Sequence, residues 1–180
     1  QEMKISFRQI EQEDLALLRD WRNQERLKKY FREYRLLNML NQLDWFKNIS
    51  TSTVNDMFLI LADDNPVGVC GLTHINWKDR SAEISHYLGK QTNSAVDVAI
   101  GLEAYDFLKK KAFLEYNLNR LYGGPFSFNK GAIKLALHCG FKKEAVLRQS
   151  IFWNGKYWDT VILSLLAEEY YATTKDKHKN

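Results

Sequence analysis

Residues 117–166, "NLNRLYGGPFSFNKGAIKLALHCGFKKEAVLRQSIFWNGKYWDTVILSLL", carry the clearest structural instructions in the chain. Arg120 to Phe128 reads as a strand interrupted at Gly123-Gly124-Pro125, where a bulge or bend is expected. Asn129 then stands as an N-cap before an apolar helical run, and Gly140 ends it as a C-cap. Ala145–Trp153 and Lys156–Leu166 flank Asn154-Gly155, a pair that accepts positive φ at both positions and so favours a type I′ hairpin. The order is strand, helix, hairpin.

Working back from there, Ser81–Leu88 alternates, with Ala82, Ile84, His86 and Leu88 on one face and Glu83, Ser85 and Tyr87 on the other. The following stretch places Ile100, Ala104, Phe107 and Leu108 at helical spacing. Earlier, Met57–Ala62 is a continuous apolar run, Asp63–Pro66 a turn, and Val67–Ile75 a second strand. At the start, residues 3–10 predict a strand, and acids at 11–14 open a helix with Leu15, Leu18 and Trp21 or Arg22 on one face. A short helix is expected over 24–31 and another over 40–49, with Leu43, Phe46 and Trp45 inward. No internal repeat or linker is visible.

Composition agrees with one globular domain: 180 residues, 45% hydrophobic and 27% charged. No apolar run approaches the roughly 20 residues a bilayer-spanning helix needs, and Gln1-Glu2-Met3-Lys4 lacks the pattern of a signal peptide. Cys70 and Cys139 form neither a disulfide framework nor a zinc pattern, so no metal and a reducing, cytoplasmic setting are expected. The net charge of +4 is mild and favours an anionic ligand, while the absence of arginine-rich, aromatic-interleaved stretches argues against nucleic acid. Residues 172–180 are expected to be a flexible tail on a core spanning 4–168.

With this element order in place, the chain resembles the GNAT superfamily of acyl-CoA-dependent N-acetyltransferases. The similarity extends over residues 4–168 and is most specific in three features. These are the Asn-Lys-x-Ala-Ile-Lys-Leu helix, the Gly140-Phe141 at its end, and the Asn-Gly-x-Tyr/Trp-x-Asp type of closing hairpin. "WRN" (21–23) and "SAEISHYLG" (81–89) are similar too. The branch it looks like acetylates ribosomal-protein N-termini, polyamines and nucleotide-linked amino sugars. The fold implied is α/β: a single-domain GNAT fold over 1–180, with a mixed, twisted sheet of six or seven strands flanked by helices.

The resemblance implies acetyl transfer from acetyl-CoA, as co-substrate, to a primary amine of a small molecule, with no nucleic-acid or membrane partner and a homodimer compatible with the family. The chemistry needs donors for the developing oxyanion, a base for the amine proton and amides for the pyrophosphate. Glu83 matches the strand acid of the branch and is the expected base; the alternative is a solvated or salt-bridged glutamate. Tyr87, Leu88 and Gly89 lie where the sheet would open to admit pantetheine. Asn129 matches a CoA-arm contact, although capping alone would explain it, and Lys134 is within reach of a phosphate or simply solvated. Trp21, Arg22, Asn23, Tyr34 and Arg35 fall on the acceptor side, where arginines and aromatics, Tyr30, Phe31 and Arg32 among them, suit a nucleotide-sugar phosphate and base. The alternative there is a basic amphipathic helix.

Two departures from the family pattern stand out. Glu103-Ala104 sets the register of the pyrophosphate loop at 96–101, where Ala99 and Gly101 keep small side chains but Val96 replaces a basic or amide residue and Asp97 adds a negative charge. Alternatively Asn93 or Ser94 caps an earlier helix start, Asp97 is a first-turn acid, and the phosphates meet amides over 92–95. The second departure is Ala136, where the family carries the tyrosine that serves as general acid. His138 and Cys139 read as packing or surface residues. Two rival functions remain open on the sequence: acetylation of a protein N-terminus, and a non-enzymatic GNAT-fold binding module.

Overall fold

The computed structural model describes residues 2–176. Seven strands form one sheet in the order β1-β2-β3-β4-β5-β7-β6. The strands are β1 (Ile5–Gln9), β2 (Asp56–Ala62), β3 (Asn65–Asn76), β4 (Ser81–Leu88), β5 (Arg120–Gly123), β6 (Lys142–Trp153) and β7 (Lys156–Leu166). All neighbours run antiparallel except β4 and β5. The helices are α1 (Leu15–Arg22), α2 (Glu25–Lys28), α3 (Met39–Thr51), α4 (Ser94–Lys110), α5 (Lys130–His138) and α6 (Ala167–Asp176).

The apolar run in β2 is explained by burial on both faces of the sheet. Phe58 and Ile60 join the core beneath α4, α5 and α6, while Met57 and Leu59 join the core beneath α1–α3. The two-residue period of the strand thus feeds two helical layers from one sequence segment. Leu15, Leu18 and Trp21 on α1 are buried in the second core at the spacing expected for one helix face. The expected hairpin is present, with Asn154 and Gly155 both at positive φ.

Three elements differ from expectation. The helix expected over 24–31 lasts only from Glu25 to Lys28, because Asn23 draws the chain into a loop, accepting from the Leu37 amide and donating to the Leu37 carbonyl, both at 2.8 Å. The strand expected over 120–128 stops at Gly123. Finally, α6 carries the chain through Asp176, into the expected tail; 177–180 lie outside the described residues. That helix is anchored by Tyr170, which is buried with its ring stacked 5.0 Å from Phe113, and by Tyr171, whose hydroxyl donates to the Phe113 carbonyl at 2.9 Å.

The end of β4 is locked onto α1 by an absence of side chain. Gly89 is buried, and a Cβ there would fall within the indole ring of Trp21, itself only 5% exposed. Gly89→Ala is therefore expected to cost about 1–3 kcal/mol, the range for overpacking a rigid site, read as a lower urea midpoint at unchanged slope.

Candidate active site

The site is created where two neighbouring strands part. β4 and β5 pair over three positions only, Ser81–Arg120, Ala82–Leu121 and Glu83–Tyr122, and then separate. The cause is local: Gly123-Gly124-Pro125 turns the chain toward β7, where the Pro125 carbonyl accepts from the Val161 amide at 2.9 Å. Proline has no N–H with which to continue a ladder. β4 runs on from Ile84 to Leu88 without a strand on that side, leaving main-chain groups that need partners. The resulting cleft, of about 600 Å³, reaches from Asp97 and Val98 on α4, past Leu88 and Ile84, to Ala132 and Ala136 on α5. Such a volume lies within the usual range for small-ligand sites.

At one end stands the N-terminus of α4. Asn93 is its N-cap, its side chain accepting from the Val96 amide at 3.0 Å, so the helix begins a turn earlier than the loop register implied. Positions 96–101 are helix rather than loop. Asp97 turns back on the preceding segment, where one carboxylate oxygen accepts from both the amide and the hydroxyl of Thr92, at 3.1 and 2.8 Å. The Ser94 and Ala95 amides, in the first turn with no intrahelical acceptor, are the groups left for an anion. Gly101 is buried for another reason: a Cβ there would come within 2.8 Å of Leu135 on α5. It lets two helices approach, and a phosphate has no access to it.

Glu83 and Tyr87 share the face of β4 that looks toward α1 and α2, as their spacing required. The Glu83 side chain is 15% exposed and held from two directions, by Arg32 Nη1 at 3.0 Å and His74 Nδ1 at 3.1 Å. Beside it, the Arg22 guanidinium lies 3.9 Å over the Phe31 ring, and Phe31 meets Tyr87 edge-on at 5.1 Å. Burial pushes the Arg22 pKa down, and among the described residues no carboxylate lies within ion-pair distance of it. Arg26 donates to the Leu88 and Gly89 carbonyls, at 3.3 and 2.6 Å, and ties α2 to the end of β4.

The opposite wall is apolar apart from two groups. Tyr105, from α4, lines the cleft together with Ala136 and packs 5.6 Å from Phe141; burial pushes its pKa up. His86 lines the same wall, and its Nε2 is the one buried side-chain nitrogen or oxygen without a partner among the described residues. Burial lowers the His86 pKa from 6.5 to about 4, so the ring is neutral near pH 7. An unpartnered polar atom in the wall fits a cleft built for a polar chain such as pantetheine.

Of the residues expected at the site, Glu83, Tyr87, Leu88, Arg22 and Asn129 meet in this cleft, Asn129 also capping α5 through the Ala132 amide at 3.2 Å. The others do not. Ala99 and Lys134 are exposed outside the cleft lining, and Gly101 serves helix packing. Gly89 and Trp21 pack against each other, and Asn23 clips the Leu37 backbone. Tyr34 is 70% exposed, and Arg35 pairs with Glu33, whose carboxyl it holds down near pH 2. His74, His86, Tyr105 and Arg26 went unnoticed in the sequence. His86 falls on the strand face shared with Ala82, Ile84 and Leu88, and nothing local marked Tyr105, His74 or Arg26.

Among the described residues there is no group of three or more His, Cys, Asp or Glu side chains that could hold a metal ion, and no helix long and apolar enough to cross a membrane. The family model described as an acetyltransferase (GNAT) domain matches residues 7–162. The chain is 25% identical over 170 residues to the spermidine N(1)-acetyltransferase of Vibrio cholerae, covering 93% of this chain and 95% of that protein. It is also 25% identical over 172 residues to the uncharacterised N-acetyltransferase p20 of Bacillus licheniformis, with coverage of 93% and 95%. Among solved structures, that of the Vibrio cholerae spermidine N-acetyltransferase in complex with CoA and spermine aligns with a TM-score of 0.82 at 24% identity, over 93% of this chain and 98% of that one.

Two outcomes follow from this geometry. Asp97→Asn keeps an oxygen for Thr92 while removing the charge, so calorimetry at low salt should show acetyl-CoA binding about two- to tenfold tighter, a gain that fades as salt rises. Unchanged affinity would mean that the phosphates do not approach the first turn of α4. For His86, the folded pKa of about 4 lies below the unfolded value of 6.5, so the unfolded state binds the extra proton first. Stability should then fall as pH drops from 6.5 to about 4, by up to about 3 kcal/mol, and His86→Leu should flatten that limb of the urea-midpoint profile.

Proposed function

The chain belongs to the GNAT acetyltransferase family and transfers an acetyl group from acetyl-CoA to an amine, and we propose that its acceptor is the primary amine of a nucleotide-linked amino sugar. The observation that carries this reading is Arg22: a guanidinium in the cleft wall, braced on Phe31, with no carboxylate partner among the described residues. A partly buried, unpaired cation favours an anionic group on the ligand, and guanidinium suits phosphate because it can donate two parallel hydrogen bonds. The nearby carboxylates are already engaged, Glu83 by Arg32 and Glu33 by Arg35. Tyr30 lines the same wall and adds an aromatic ring against which a base can pack.

In this reading Glu83 takes the proton of the acceptor ammonium, and main-chain N–H groups on the open side of β4 donate to the thioester oxygen as charge develops. Acetyl-CoA supplies an activated acyl group whose leaving thiol has a pKa near that of free cysteine, about 8.5, so departure without a tyrosine at Ala136 is chemically reasonable. Tyr87 and Leu88 border the arm of the cofactor, and Asn129 sits at the mouth of the cleft on α5.

A second reading, a polyamine acceptor, is favoured by the similarity to a spermidine acetyltransferase over nearly the whole chain and by the aromatic lining of the cleft. Steady-state kinetics with a UDP-linked 4-amino sugar, with spermidine and with a short free-amine peptide distinguish these acceptors from the protein N-terminus considered above. Arg22→Met should raise KM for the sugar nucleotide about 10–100-fold with little change in kcat, the loss expected for one charged hydrogen bond, whereas Arg35→Ala should be silent. Turnover of spermidine without turnover of the sugar nucleotide would replace the first reading with the second.

A further inference from the structure

The ladder between β3 and β4 is regular from Gly68–Leu88 to Thr73–Glu83, and then slips before resuming at Asn76–Ser81. His74 sits in the slip at φ +51, a left-handed conformation that costs a non-glycine residue of the order of 1 kcal/mol. In a regular strand His74 would point to the face opposite Thr73, and so away from Glu83. The bulge brings it back. Its Nδ1 lies 3.2 Å from Thr73 Oγ1 and 3.1 Å from Glu83 Oε2, while the side chain is 69% exposed. Re-aiming a side chain is a recurrent use of bulges beside active sites.

We propose that His74 is the outward proton relay of Glu83, a positioning residue that connects the floor of the cleft to bulk water. The proposal rests on Glu83 being the base. Glu83 lines the cleft, whereas His74 stands behind it on the solvent side and does not line the cleft. Arg32, reaching over from the loop after α2, holds the other carboxylate oxygen, so Oε2 is the one left to pass a proton outward. The titratable and charged groups facing Glu83 are therefore Arg32, His74 and, across the β4–β5 pair, Tyr122, whose phenol is pushed up first by burial and then by Glu83 itself. Of these, His74 is the one whose ring can accept a hydrogen at one nitrogen while it donates from the other.

The proton count closes. Attack forms the bond from the amine nitrogen to the acyl carbon, and the bond from that carbon to the CoA sulfur breaks. Of the two protons the ammonium nitrogen sheds, one ends on the CoA sulfur. The other passes to Glu83, from Oε2 to His74 Nδ1 in the tautomer that keeps its hydrogen on Nε2, and from Nε2–H to water. Exchange at the exposed ring restores the starting tautomer.

The test pairs two variants chosen for the backbone. His74→Gly relieves the left-handed strain and leaves a hole, and His74→Asn tolerates the same φ and can donate to Glu83 but cannot take up a proton and pass it on. Kinetics are measured with whichever of the UDP-linked 4-amino sugar and spermidine turns over, so failure of one acceptor does not touch this proposal. Both variants should lose about tenfold or more in kcat with the KM for acetyl-CoA unchanged, and added imidazole should restore His74→Gly alone. Full kcat in His74→Asn, or no rescue of His74→Gly, overturns the relay. Independently of any acceptor, the ring-nitrogen NMR signal of His74 should move in Glu83→Gln, and an unmoved signal overturns the contact on which the relay depends.

Discussion

Everything functional in this chain depends on the early end of one parallel strand pair. Gly123-Gly124-Pro125 turns β5 away after three pairings with β4, and the stretch from Ile84 to Leu88 is left with main-chain groups facing a cleft. A longer β5 would satisfy those groups and close the site. The sheet gives up a few ladder hydrogen bonds there and keeps a polar edge lined on either side by helices α4 and α5. The sheet, whose β2 and β3 are buried on both faces under helices, is rigid enough to hold that edge open.

The charges around the opening are distributed unevenly. Asp97 is satisfied by Thr92, Glu33 by Arg35, and Glu83 by Arg32 and His74. Arg22 is left over, desolvated and stacked on Phe31. The opposite wall is mostly apolar, lined by Ala136 and Leu135 with Tyr105 and the buried His86 nitrogen. One side of the cleft is thus suited to a charged acceptor and the other to a long, mostly apolar arm with a few amides. This asymmetry is what two-substrate chemistry within one cleft requires.

Much of this was legible because the controlling interactions are local. Asn129, Gly140 and Asn154-Gly155 announce caps and a turn through the conformations their own side chains permit, and each appears where it was expected. The two-residue period of Ser81–Leu88 separated Glu83 and Tyr87 from Ile84 and His86 correctly. The start of α4 was ambiguous, because two capping schemes one turn apart satisfy the same residues; Asn93 accepting from Val96 realises the earlier one and leaves Ala99 and Gly101 within the helix, beyond its first turn. Lys134, Tyr34 and Arg35 likewise lie outside the cleft lining. Proximity in sequence to a motif does not say which way a helix or loop side chain will face.

The amino-acid order alone carried most of the element order through β7, the caps and the hairpin, which follow from short-range sterics and apolar periodicity, and it carried the motifs on which the family resemblance rests. Which residues meet in the cleft was decided by tertiary structure. His74 reaches Glu83 only because a register slip between β3 and β4 rotates it through the sheet. Arg22, with no carboxylate at ion-pair distance among the described residues, lies on Phe31, which itself packs against Tyr87. Contacts between residues far apart in sequence depend on register, bulges and helix approach, and each of these is the outcome of many weak packing terms acting together rather than of any one residue's preference.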